Sequence, residues 1–163
     1  MTEPKESELA KLKKHYADFQ GKYSLPDFDK LNEDFDVEKL AGGETDFLLR
    51  EIRKNLGERL ANFLRFVELM LNPSNAPMFV FHLVKNLEAD DKKILEETYK
   101  LVVEFEVRMI ELDMDYGEKK EAQFIVDVFN SWQMIKKEIM KVHASIVKNW
   151  SNGFKKKDKS YFG

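Results

Sequence analysis

The stretch that decides the predicted fold is residues 72–84, NPSNAPMFVFHLV, where a turn rich in Pro and Asn opens into an apolar run. Proline is tolerated in the first turn of a helix, so a new helix is expected over about 76–87. Nearly every position from 78 to 84 is apolar, and a helix that is apolar on all sides belongs in a core. We therefore predict a central buried helix here, with His82 as the only polar residue between Met78 and Val84.

Four other segments repeat apolar residues every three or four positions, which predicts amphipathic helices. They cover residues 7–21, 45–71, 89–116 and 118–150. Residues 24–43 place Leu, Phe and Val among many acids and are expected to form short helical turns. The chain is therefore predicted to be an all-α bundle of five helices with additional helical turns.

The predicted last helix, residues 118–150, is long for a protein of this size. At 1.5 Å per residue it would extend on the order of 50 Å. Part of it is expected to pack on a second chain or to kink, and we predict a homodimer through this helix. We assign residues 1–150 to a single helical domain and residues 151–163 to a flexible basic tail.

Composition narrows the class of protein. The 163 residues are 43% hydrophobic and 35% charged, and they include no cysteine, so thiolate catalysis and disulfides are excluded. No run approaches the roughly 20 apolar residues of a membrane span. We therefore expect a cytoplasmic location and no membrane partner. Abundant Lys and Glu with little Gln are typical of thermophilic proteins.

The charges are unevenly distributed. Residues 27–46 hold eight acidic and two basic side chains, and residues 86–121 hold twelve and six. Residues 136–163 hold eight lysines against two acids. These regions are expected to attract one another within the fold or across a dimer. Weak nucleic-acid binding through the Lys-rich tail is an alternative, but a nucleic-acid partner is disfavoured because so few phosphate contacts give little affinity.

His82 is the first candidate for chemistry. We expect a buried neutral imidazole whose ring nitrogen bonds a backbone carbonyl, in preference to a catalytic base or metal ligand. His15 and His143 lack a Glu or Asp three residues earlier, so the Glu-x-x-His ligand pattern of di-iron bundles is absent.

Paired carboxylates offer a second candidate. Glu88 and Asp91 open one predicted helix, and Glu118 and Glu121 open the next, each pair sharing a helix face. These pairs resemble the motifs of all-helical nucleotide pyrophosphohydrolases, which implies a Mg²⁺-dependent alternative, although their order along the chain is reversed. Thirty acidic residues also produce several such spacings by chance, and acids are favoured in first helical turns anyway.

Cations on the second predicted helix form a third candidate. Arg50, Lys54 and Arg65 fall on its outward side and are candidates to contact an anion, although a solvated face is the preferred explanation. Arg53 and Arg59 flank its apolar stripe and are expected to pair with glutamates of the next long helix.

The sequence carries no Walker loop, G-x-G-x-x-G, H-E-x-x-H or G-x-S-x-G motif. We therefore predict a protein–protein interaction or assembly module without catalysis, and no cofactor. Its interface is expected to combine the acidic–aromatic segment with the outer face of the last helix. The residues predicted to form this interface are Phe28, Phe35, Phe124, Phe129 and Trp150.

Overall fold

A computed structural model describes the backbone of residues 3–160 and the side chains of residues 7–152. Over this part of the chain there are six α-helices, two 3-10 turns and no strand, so the predicted all-α bundle with short helical turns is confirmed. The helices are α1 (Glu3–Tyr23), α2 (Phe28–Phe35), α3 (Leu48–Leu71), α4 (Met78–Val84), α5 (Ala89–Met114) and α6 (Glu118–Ser160). The 3-10 turns are Val37–Leu40 and Pro73–Asn75.

The acidic segment before α3 folds through local side-chain bonds. The Asp27 carboxylate accepts a hydrogen bond from the Lys30 N–H at 3.2 Å and so caps α2. At the other end Asp36 adopts a left-handed conformation with φ 52°, and its N–H bonds the Asn32 carbonyl. Asp tolerates this conformation better than most residues, and the chain turns there into the 3-10 turn Val37–Leu40.

The chain divides into two compact units. Unit 1 comprises residues 1–61 and 105–132. Aromatic contacts join its helices: Tyr16 meets Phe28 with ring centroids 5.3 Å apart, and Phe105 meets Phe124 at 5.7 Å. Gly57 lies against Met109, whose sulfur occupies the space that a Cβ would need. A neighbouring helix therefore approaches α3 closely at this glycine.

Unit 2 comprises residues 62–104 and 133–163. Its core joins the last turns of α3, one face of α4, the turn after α4, and parts of α5 and α6. The buried residues of this core are Val67, Met70, Val80, Val84, Leu87, Leu95 and Val142.

The prediction of a central buried helix at 76–87 is wrong. Helix α4 has seven residues, and only Val80 and Val84 are buried. Met78 is 72% exposed, Phe79 60% and Phe81 47%. The physical reason is that α4 is only about two turns long. It packs on the rest of unit 2 with one face, so the apolar side chains on its other faces point outward.

Helix α6 extends to Ser160, beyond its predicted end near residue 150. Its residues before Gln133 belong to unit 1 and the rest to unit 2. Phe124, Ile125 and Val142 of α6 are buried within the chain, and the dimer predicted through this helix stays a prediction. The single-domain assignment of 1–150 stays a prediction. Among the described residues, no helix is long and apolar enough to cross a membrane.

Candidate functional site

The outer face of α4 is the candidate site, and we define the α4 face as Met78, Phe79, Phe81 and His82. Successive helical residues are separated by about 100°. Val80 and Val84 therefore mark one side of the helix, and His82 points almost directly away from them. The four exposed side chains cover a continuous arc of about 160°. This arc presents one thioether, two phenyl rings and one imidazole to solvent.

One hydrogen bond ties the C-terminal end of α4 to another helix. After the last turn of α4, the carbonyl of Asn86 accepts a hydrogen bond from the Asn149 side chain of α6 at 3.0 Å. At the other end, the Val80 N–H bonds the Pro77 carbonyl at 2.9 Å, which closes the first turn of α4 itself.

The five residues predicted to form an interface divide into two groups. Phe28, Phe35 and Phe124 are at most 7% exposed and lie in the core of unit 1, so their assignment to an outer surface is wrong. Their stripe positions face inward because α2 and α6 pack within the unit. Phe129 is half-buried, whereas Trp150 is 46% exposed. Trp150 follows Asn149 directly, and Asn149 bonds the turn after α4.

His82 is exposed, contrary to the expected buried imidazole. Its ring lies 6.2 Å from that of Phe81 in an edge-on arrangement. His15 and His143 are exposed as well. Within residues 7–152, no three His, Asp or Glu side chains are grouped so that they could hold a metal ion.

The four carboxylates of the Mg²⁺ alternative have separate surroundings. Asp91 is buried, accepts the Glu88 N–H at 3.2 Å and also accepts the Ser145 hydroxyl at 2.9 Å. It therefore caps α5 and ties it to α6. Glu118 accepts hydrogen bonds from Lys22 at 2.7 Å and from the Tyr23 hydroxyl at 2.5 Å. These bonds lower the pKa of Glu118.

Glu121 is fully buried and is bound by arginine. The Arg53 Nε donates to its Oε2 at 2.7 Å, and an Arg53 Nη donates to Asp113 at 2.8 Å. Arg53 is itself only 1% exposed. Burial acts to lower the pKa of Arg53, but the bonds to Asp113 and Glu121 outweigh it and raise the pKa. Arg53 thus pairs with these two acids rather than with the glutamates predicted from spacing.

The cluster around this pair was not found by sequence reasoning. Arg50 lies over the ring of Tyr116, 4.5 Å from its centroid, and beside Phe47 at 5.3 Å. Its Nε is 3.9 Å from Glu121 Oε1, and neither atom has a hydrogen-bond partner among the described residues. One feature of the sequence could have indicated this cluster: Arg53 directly follows Ile52, which belongs to the apolar stripe of α3. A charged residue beside a core position needs a buried counter-charge.

The three candidate anion-binding cations are not brought together as a described cluster. Arg50 stacks on aromatic rings, and Lys54 pairs with Glu51 at 3.1 Å. Arg65 lines an open groove of about 660 Å³ in unit 2. The side chains of the basic tail from residue 153 onward lie outside the described residues.

The α4 face is therefore distinguished by two phenyl rings and a thioether that are exposed together on one short helix. Comparisons of the chain with models of protein families, with curated proteins and with solved structures gave no match.

Proposed function

We propose that this chain is a protein-binding module whose α4 face inserts into an apolar groove of another protein. The observation that carries this proposal is the exposure of Met78, Phe79 and Phe81 within the first turn of one short helix. Leaving three large apolar side chains in water is unfavourable by roughly 25 cal/mol for each Å² that a contact would cover. A partner that covers them recovers this free energy.

The chemistry of the side chains supports a protein as the ligand. Phenylalanine and methionine are enriched in the buried centres of protein interfaces. Methionine adapts to the shape of a partner, while aromatic rings supply large contact area with little loss of rotamer freedom. Short helices with such a face bind by placing their apolar side chains in a groove.

Charge at the edge of the α4 face indicates what surrounds that groove. Lys85 ends α4, is exposed and forms no ion pair with a described residue. His82 lies between the two phenyl rings on the outer side of the helix. We infer a partner groove that is apolar at its centre and carries carboxylates at its rim.

Photo-crosslinking tests this proposal directly. A benzophenone amino acid placed at Phe79 is expected to capture one defined protein in cells, whereas the same group at exposed Glu97 on α5 captures none. Binding of the captured protein, measured by calorimetry, is expected to weaken at least 100-fold in the double variant Phe79→Ser, Phe81→Ser. Capture only of a second copy of this chain, or unchanged affinity in that variant, would contradict the proposal.

A further inference from the structure

Helix α5 carries an apolar stripe on the outside of unit 1. Val107 is 60% exposed, Ile110 61% and Met114 85%. These residues are three and then four positions apart, which places them within about 60° of one another on one side of the helix. Phe105 and Leu112, which α5 contributes to the core, point almost directly away from this stripe. The stripe therefore faces outward and has the spacing of a coiled-coil seam.

The charged side chains beside this stripe are all acidic. They are the charged residues of α5 in unit 1 that lie within about 95° of the centre of the stripe, namely Glu106, Glu111 and Asp113. We define the acidic seam as the stripe together with these three acids. Glu111 and Asp113 have basic partners within the chain, but their side chains remain 67% and 62% exposed. The acidic seam thus carries negative charge on both sides of an apolar centre.

Helix α6 carries the opposite arrangement in unit 2. Met140 is 60% exposed and Val147 50%, and exposed Ala144 lies between them. These residues are four and then three positions apart, so they share one side of the helix, and buried Val142 points away from it.

Lysines lie on both sides of this second stripe. Up to residue 152, the Lys, Arg, Asp and Glu side chains of α6 in unit 2 within about 95° of its centre are Lys136, Lys137, Lys141 and Lys148. All four are exposed. We define the basic seam as Met140, Ala144 and Val147 together with these four lysines.

The two seams match in spacing and are opposite in charge. When two helices pair, apolar residues that alternate between three and four positions apart meet along the centre, and the charges beside them select the partner. Two acidic seams would repel each other, as would two basic seams. An acidic seam facing a basic seam brings carboxylates beside lysines whether the helices run parallel or antiparallel, because each seam carries one sign of charge on both sides.

We propose that the acidic seam of one copy of this chain binds the basic seam of a second copy. Each seam is exposed in its own unit, so neither is covered within the described part of one molecule. The contact joins two different surfaces and is therefore head to tail. It gives the dimer predicted through α6 a defined partner surface, and it does not involve the α4 face.

The strength of this contact follows from its size. The apolar stripes each extend over about two helical turns, and exposed ion pairs contribute little each. Self-association is therefore expected to be weak and reversible. Because the two seams are held together partly by exposed charges, it is also expected to weaken with rising salt.

Two variants test the proposal by sedimentation velocity. Ile110→Lys places a positive charge in the acidic seam, and Met140→Glu places a negative charge in the basic seam. Each is expected to weaken the self-association of the unaltered chain by roughly tenfold or more. Each variant keeps its other seam intact. An equimolar mixture is therefore expected to form a one-to-one complex, in which the basic seam of the Ile110→Lys chain binds the acidic seam of the Met140→Glu chain.

Matched substitutions at exposed apolar residues outside the seams are the controls. Met134→Glu makes the same change on α6 at a residue that is also 60% exposed, but Met134 lies about 110° from the centre of the basic seam. Leu69→Lys introduces a lysine at an exposed position of α3. Both variants are expected to associate as the unaltered chain does, and so is the double variant Phe79→Ser, Phe81→Ser.

Three results would overturn the proposal. The first is a chain that stays monomeric at every concentration. The second is a mixture of the two seam variants that associates no more than its components do, since that would indicate a contact between like surfaces. The third is loss of self-association only in the Phe79→Ser, Phe81→Ser variant, which would assign it to the α4 face. If a seam variant does not fold by circular dichroism, Ile110→Gln and Met140→Gln supply the same comparison at lower amplitude.

Discussion

Units 1 and 2 draw on the same three long helices but place their unusual side chains in opposite environments. Unit 1 encloses a charged pair, Arg53 with Glu121, where apolar side chains would be ordinary. Unit 2 exposes Met78, Phe79 and Phe81, where polar side chains would be ordinary. The buried pair matters to the unit's own structure, because breaking it would strand a charge. The exposed rings bury little area within the unit, so we expect them to contribute little to its stability.

The largest expected effect comes from breaking the buried pair. Arg53→Met leaves Glu121 enclosed with only Arg50 nearby at 3.9 Å, and we expect a loss of about 3–5 kcal/mol in the free energy of unfolding. Urea denaturation measures it. The double variant Arg53→Met, Glu121→Leu removes both charges and is expected to recover most of the loss. Lys54→Met, at the next position but exposed, serves as the control and should change stability by under about 0.5 kcal/mol.

Effects of intermediate size are expected from substitutions that compare the buried and exposed sides of α4. Val84→Ala removes buried methyl groups from the core of unit 2 and is expected to cost about 2 kcal/mol. Phe79→Ser removes a larger side chain from the exposed side and is expected to cost under about 1 kcal/mol. Thermal unfolding of both variants checks the order. If Phe79→Ser lowered stability more than Val84→Ala does, the α4 face would contribute mainly to the fold of unit 2. The contrast between the two units would then be contradicted.

The smallest expected effect concerns the half-buried carboxylate of Glu106 in unit 1. One oxygen of Glu106 is buried without a hydrogen-bond partner among the described residues, and burial raises the pKa of this carboxyl. The folded state therefore holds the Glu106 proton to higher pH than the unfolded state does. Its contribution to stability falls as pH rises from about 4.5 through the raised pKa.

Glu106→Gln removes this charge, so at pH 7 we expect a gain in stability of up to about 1 kcal/mol. The gain should disappear near pH 4, where the carboxyl is protonated in both states. Unfolding curves across this pH range measure it. Exposed Glu104→Gln, two residues earlier in α5, is expected to show no such pH dependence. A gain that persists unchanged at pH 4 would assign the effect of Glu106→Gln to something other than charge.

Helical periodicity predicted the long elements well. Helices α1, α3, α5 and α6 follow apolar stripes of period 3.6, and their starts agree with the predicted ones to within a few residues. Periodicity failed at residues 78–84 because a run in which only His82 is polar shows no repeat of apolar and polar positions. It identifies apolar side chains but cannot tell which of them a neighbouring helix covers. In this protein, the short length of α4 determines which of these side chains are covered.

The pairing of Arg53 with Glu121 could not be predicted from the sequence for a related reason. Arg53 and Glu121 are 68 positions apart, and only the packing of α3 against α6 within unit 1 brings them to 2.7 Å. The spacing of charged residues along the sequence instead favoured glutamates of α5 as partners of Arg53. The same limit applies to Phe28, Phe35 and Phe124, whose aromatic character is equally suited to a core or to an interface.

The brevity of α4 has a consequence for its dynamics. With two buried residues and backbone bonds that lie near solvent, the helix is expected to open locally without unfolding the remainder of unit 2, because local opening requires few contacts to break. Its amide hydrogens should then exchange with deuterium sooner than those of the neighbouring part of α5. A bound partner would suppress this opening. Slowed exchange confined to residues 78–87 would therefore report, in solution, that the α4 face is occupied.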